Sequence, residues 1–231
     1  MKLGIMQPYF FPYIGYLRLI RSVDQFVVYD NIQYTKKGWI NRNRILLNGK
    51  DKMITVPLKK DSDYLDIKER FLSENWTKDR SKLLNTIKSA YAKAPYFSES
   101  FSLIEECLLL AENNLFKFLL NSLKKLCAHL EINTKFITSS SVNIDHSLKS
   151  ESRVLAICKN LECDVYINPT GGKHLYDHNN FKQEGVTLKF MKPETLKYSQ
   201  HLNCFIPSLS IIDVLMFNGK KETLKYLSNH E

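Results

Sequence analysis

The strongest constraint on this chain is its opening order of short apolar run, helical pattern, short apolar run. "KLGIM" at 2–6 reads as a buried strand, "YLRLIRSV" at 16–23 as a helix, and "QFVVYD" at 25–30 as a second strand rich in Val, Phe and Tyr. Two strands joined by a helix pair in parallel through a crossover, which predicts an α/β sheet. The same order returns after about 130: "TKFITSSS" as a strand, "SESRVLAICKNL" as a helix, "DVYINP" as a strand, and later "VTLKFMK" as another. "SIIDVLMFNG" begins the closing helices, with Ser208 a candidate cap.

Between these halves lie two insertions of different character. "NRILLNGKDKMITVPL" alternates around Asn48-Gly49, a pair suited to a tight turn, and predicts an antiparallel hairpin. From Trp76 to about Glu131 the pattern is helical, interrupted at Pro95, with Ser98 placed to cap the next helix. The expected fold is therefore α/β: a Rossmann-like, mostly parallel sheet with an antiparallel hairpin and a helical insertion. Residues 1–75 form the N-terminal half of the α/β domain with its basic hairpin, 76–131 the helical insertion, and 132–231 the C-terminal half. Ligands of such sheets bind beyond the carboxyl ends of the strands.

The 231 residues suffice for a full core, and no run of about 18 apolar residues predicts a membrane span. The N-terminus lacks the pattern of a secretory signal. Five scattered cysteines with no C-x-x-C pair suggest reduced structural thiols in a cytoplasmic protein. Between Asn31 and Lys60, eight basic residues face the single Asp51, so this segment carries +7 of the formal +9. That points to a phosphate-bearing partner or to a solvated basic face.

Three constellations carry chemistry. The first is the turn "MQPYFFPYIGY", with Gln7 at the end of the first strand and Tyr9, Tyr13, Gly15 and Tyr16 around the start of the helix. Unpaired amides there suit a phosphate, glycine admits close approach, and rings offer flat faces to a base or sugar. The alternative is that the rings plug one end of the sheet.

The second follows Asp30: Gln33, Lys36, Lys37, Trp39, Asn41, Arg42, Asn43 and Arg44 gather donors around one indole. Arginine forks match phosphate and Trp39 could stack on a base, while Asp30 could accept a proton. The third is "NPTGGKHLYDH", where Gly171 and Gly172 permit backbone approach and Lys173, His174 and Asp177 are titratable. His174 is a candidate general base that Asp177 could orient. His174 and His178 do not form H-E-x-x-H, so no metal is expected.

The stretches "MQPYFFPYIGYLRLI", "VVYDNIQYTKKGWINRNRI", "SAYAKAPYF" and "FIPSLSIIDVLMFNG", in that order, resemble the WbqC-like family over nearly the whole chain. The resemblance implies work in bacterial surface-polysaccharide (O-antigen) biosynthesis. It further implies a transferase attaching an acyl or aminoacyl group, glycyl being one candidate, to the amine of a nucleotide-linked amino sugar. The acyl donor is left open between a coenzyme A thioester and ATP plus an amino acid. Tyr13-Ile14-Gly15-Tyr16 also sits where nucleotidyltransferases and acid-adenylating ligases carry H-I-G-H, with tyrosine at both histidine places. The alternatives are an ATP-dependent acid-activating ligase and, ranked last, a nucleic-acid-binding module.

Overall fold

A computed structural model of the chain describes residues 1–192, 196–200 and 204–228. The opening order forms as read: β1 (Lys2–Met6), α1 (Ile14–Arg21) and β2 (Gln25–Val28). Three further strands join them, β5 (Lys135–Thr138), β6 (Val165–Pro169) and β7 (Thr187–Met191). The five form one sheet in the order β5-β2-β1-β6-β7, and every neighbouring pair is parallel. Counting only these strands along the chain, the order is 3-2-1-4-5, the doubly wound arrangement.

Alternation along the strands divides the core between the two faces. In β2, Phe26 and Val28 join Tyr16, Leu17 and Ile20 of α1 on one side. Val27 turns to the other, with Leu3 and Ile5 of β1, Val154 and Ile157 of α5 (Ser150–Asn160) and Phe181 of α6 (His178–Gln183). Burial on both faces explains why these strands read as unbroken apolar runs.

The hairpin β3 (Arg42–Leu47) and β4 (Lys50–Thr55) forms a separate two-stranded antiparallel sheet. Asn48 and Gly49 both take positive φ, 50° and 75°, as the tight turn requires. The helical stretch resolves into α2 (Trp76–Tyr91), α3 (Phe97–Leu108) and α4 (Leu115–His129). Their apolar faces enter the same core as α1, the hairpin and the closing helix α7 (Ile211–Ser228), which kinks at Gly219.

Two local expectations are corrected. Ser98 does not cap the second helix of the block. Helix α3 already starts at Phe97, because the Tyr96 amide bonds the Met216 carbonyl at 3.1 Å and fixes the chain there. Ser208 does not cap α7 either. Ser210 does, its hydroxyl accepting the Ile212 amide at 3.2 Å.

Candidate functional site

β1 and β6 pair at the centre of the sheet, but the connections leaving them run to opposite faces. Their carboxyl ends therefore diverge, and the crevice between them is where doubly wound sheets hold ligands. Here it is a cavity of about 400 Å³. One wall is the start of α1 (Tyr13, Ile14, Gly15, Arg18), and the next is the chain leaving β6 and β7 (Pro169, Thr170, Gly171, Met191, Lys192). The third is made by Leu196, Tyr198, Phe205, Pro207 and Leu209, closed by Val214. No side chain caps α1 at Tyr13; the Tyr16 amide bonds the Tyr13 carbonyl at 3.0 Å, and Ile14 and Gly15 bring the partial positive charge of the helix start to the cavity edge. Gly15 lets the Tyr13 ring fold across the helix start: a Cβ there would sit 2.3 Å from Cε2 of that ring, so the ring would have to shift.

A smaller cavity of about 260 Å³ adjoins the first and shares Tyr13 and Ser208 with it. Tyr9, Trp39, Asn43 and Arg44 complete it. The Arg44 guanidinium lies 5.7 Å over the Trp39 ring and pairs with Asp51 at 3.1 Å. Trp39 is still 38 % exposed, so one aromatic face is open to a partner. Together the cavities form a cleft with helix amides at one end and a ring-and-guanidinium wall at the other.

Four distant stretches build this cleft. Asn43 Nδ2 donates to the carbonyls of Phe10 (3.0 Å) and Phe11 (2.8 Å), holding the aromatic turn against the hairpin. Ser210 donates its hydroxyl to the Phe11 carbonyl at 2.7 Å and its amide to the Arg44 carbonyl at 2.9 Å. The Ile211 amide bonds the Pro12 carbonyl at 2.8 Å. Phe11 and Ser208 take positive φ, 39° and 57°, conformations that only such over-determined surroundings sustain in non-glycine residues.

Behind the cleft, the fully buried Asp213 accepts hydrogen bonds from Tyr91 (2.7 Å), Tyr198 (2.6 Å) and Gln200 (2.8 Å). Tyr91 in turn accepts the Leu46 amide at 2.9 Å. One carboxylate thus ties the hairpin, α2, α7 and the Tyr198 wall together. Burial pushes its pKa above the ordinary carboxylate range even though all three donors pull it down.

The expected site residues fall into distinct places. Tyr9, Tyr13, Gly15, Trp39, Asn43, Arg44 and Gly171 line the cleft. Gln7 is beside it, its side chain reaching the Tyr9 hydroxyl at 3.3 Å and its carbonyl accepting the Tyr16 hydroxyl at 2.9 Å. Tyr16 itself is core, and burial drives its phenol pKa well up. Asn41 is buried between the Tyr34 hydroxyl and the Val56 carbonyl, 2.8 Å from each. Arg42 donates to the carbonyls of Gly38 (2.9 Å) and Lys37, so its guanidinium closes a loop. Gln33 bonds the Asp63 carbonyl and Lys36 the Asp63 carboxylate, both outside the cleft, while the Lys37 side chain is exposed.

Asp30 is 3 % exposed at the end of β2. It accepts from the Ser139 hydroxyl (2.8 Å), the Ser140 amide (2.8 Å) and the Ser140 hydroxyl (2.6 Å), a staple between β2 and the turn after β5. Gly172 packs against the Asn168 amide, and Lys173 and His174 are exposed. Asp177 caps α6 through the Asn179 amide at 2.8 Å. Neither Asp30 nor His174 lines the two cavities. Sequence reading passed over Arg18, Thr170, Lys192, Tyr198 and Phe205 in the cavity walls. Arg18 is hidden within an amphipathic pattern, and the others stand in stretches without periodicity.

A parallel sheet of doubly wound order with a lined crevice at its switch point makes this an α/β protein. Within that class, this chain belongs to the WbqC-like protein family, whose model matches residues 7–225. A relative named "Uncharacterized protein Rv1507c", from Mycobacterium tuberculosis, is 29% identical over 231 residues, covering 98% of this chain and 97% of its own. No solved structure matches the chain. Among the described residues no helix is long and apolar enough to cross a membrane, and no three His, Cys, Asp or Glu side chains gather as metal ligands would.

Proposed function

We propose that the protein binds a nucleotide-linked amino sugar in the cleft and transfers an acyl or aminoacyl group to the sugar amine, in the cytoplasm, during surface-polysaccharide biosynthesis. The observation that carries the binding half is the switch-point cavity, bounded by the uncapped start of α1 and continued by the Tyr9–Tyr13–Trp39–Arg44 wall. Helix amides and Arg44 suit the diphosphate, and the open indole face suits the base. A combined space of several hundred Å³ is the size such ligands fill. The transfer half rests on family membership. It requires the amine unprotonated, since an ammonium has no lone pair to attack with.

The test is a thermal-shift panel of dTDP, UDP, GDP, ATP and coenzyme A on the wild type and on Trp39→Ala. A ligand at about 100 times its dissociation constant adds about 2.7 kcal/mol, or roughly 5–11 °C for a chain of this size. A selective response to one nucleoside diphosphate, lost in Trp39→Ala, is the expected result. A response to ATP alone would transfer the site to the acid-activating ligase reading, which uses the same strand-turn-helix. Asp30 and His174 are the candidate bases, and since neither lines the two cavities, the role requires the sugar amine to reach beyond the cleft. Loss of turnover with nucleotide binding retained, in Asp30→Asn or His174→Ala, would mark the base, and activity in both variants would remove both.

A further inference from the structure

A cavity of about 690 Å³ lies on the other side of the loop leading into β3 and shares no lining residue with the cleft. Lys36, Lys59, Lys60 and Arg70 line it, and so do the carboxylates of Asp61 and Asp63. Arg70 is 4 % exposed, with its guanidinium 5.1 Å over the Tyr34 ring. Two of its nitrogens donate to backbone carbonyls, Nη1 to Ser62 at 2.7 Å and Nη2 to Lys59 at 3.3 Å, while the buried Nε has no acceptor. Both partners are neutral, and among the described residues no carboxylate pairs with it. A buried cation without a counter-charge is one of the costliest arrangements a fold can hold.

The surrounding charges are mixed: four cations face two carboxylates in the lining, and Asp61 accepts the Ser62 amide at 2.8 Å. Lys36 is matched by Asp63 at 2.7 Å and Lys59 by Glu74 at 3.6 Å, which leaves Lys60 without such a partner among the described residues. The Ser62 hydroxyl already accepts the Tyr64 amide at 3.3 Å, so its own proton is free to be donated.

We propose that this cavity is a second anion site, taking a phosphate-class dianion between Arg70, Lys60 and the Ser62 hydroxyl. Arg70 and Lys60 outweigh the one unmatched carboxylate, Asp61, and with a hydroxyl donor they suit a tetrahedral anion with several acceptor oxygens. The site is independent of the nucleotide reading. The intervening loop gives Tyr34, Lys36 and Asn41 to this cavity and Trp39, Asn43 and Arg44 to the cleft.

The experiment is a titration of the whole chain with inorganic pyrophosphate, followed by amide resonances of residues 59–64 and by the Arg70 Nε–Hε resonance. Saturable shifts at these positions are expected, with affinity at least tenfold weaker in Lys60→Glu and unchanged in Trp39→Ala. Because Arg70 also holds two loop carbonyls, Arg70→Lys serves as its variant, keeping the charge while losing the fork. Unmoved resonances would overturn the site, as would equal shifts from sodium chloride at matched ionic strength.

Discussion

At the residue scale, the densest polar stretch of the chain is divided between the lining of the cleft and the scaffold around it. Asn43 illustrates the scaffold half: its amide satisfies the carbonyls of both Phe10 and Phe11. Asn43→Ala removes the donor of the Phe10 carbonyl, while the Phe11 carbonyl keeps the Ser210 hydroxyl, and should cost about 1–2 kcal/mol, a fall of roughly 2–8 °C in melting temperature by calorimetry. Asp213 has a pKa raised in the folded state, so the native protein binds its proton more tightly than the unfolded chain. Its contribution is fully present below the ordinary carboxylate pKa and is lost as pH rises through the raised one. Asp213→Asn removes that titration. The stability gap between wild type and variant should therefore be wider below the ordinary carboxylate range than at neutral pH, as denaturant titrations at several pH values would read.

At the element scale, strands and helices formed where the patterns placed them, while junctions followed tertiary contact. The break in α7 is at Gly219, with φ 66° and ψ −179°, a region essentially reserved for glycine. A Cβ there would also come within 2.5 Å of the Tyr96 ring. Gly219→Ala combines backbone strain with overpacking and should destabilise by about 2–5 kcal/mol in urea. The sequence placed the start of the closing helices at "SIIDVLMFNG" without marking Gly219 as the break between them. Ser98 and Ser208 failed as caps: cap chemistry was present at those positions, but Tyr96 and Ser210 were already engaged with other elements.

At the scale of the molecule, the excess charge is less available than its count implies. In the 31–60 segment Lys36, Lys59 and Arg44 are paired with Asp63, Glu74 and Asp51, and Arg42 closes on backbone carbonyls. Lys37, Lys50, Lys52 and Lys60 are left as the exposed cations without an acidic partner among the described residues. Duplex DNA binding should then weaken with a log–log salt slope no steeper than about −4; a slope near −7 would show the whole basic set engaging phosphates.

The sequence by itself determined the parallel sheet, the Asn48-Gly49 hairpin, the helical block and the position of the aromatic turn at the head of α1. Each of these depends on residues within a few positions of one another, where period and turn chemistry act directly. It also carried the family, through four long stretches whose spacing gives no hint that they touch. Only the tertiary structure decided which polar side chains face the cleft and which are consumed in holding it. Asn43 and Arg44 are neighbours in sequence, yet both line the cavity while Asn43 also binds the turn more than 30 residues earlier. Asp30 finds its donors 109 and 110 residues away, and Tyr91 meets Asp213 across 122. A hydrogen bond needs a partner within about 3 Å in space and places no demand on separation along the chain, so local pattern holds no record of it.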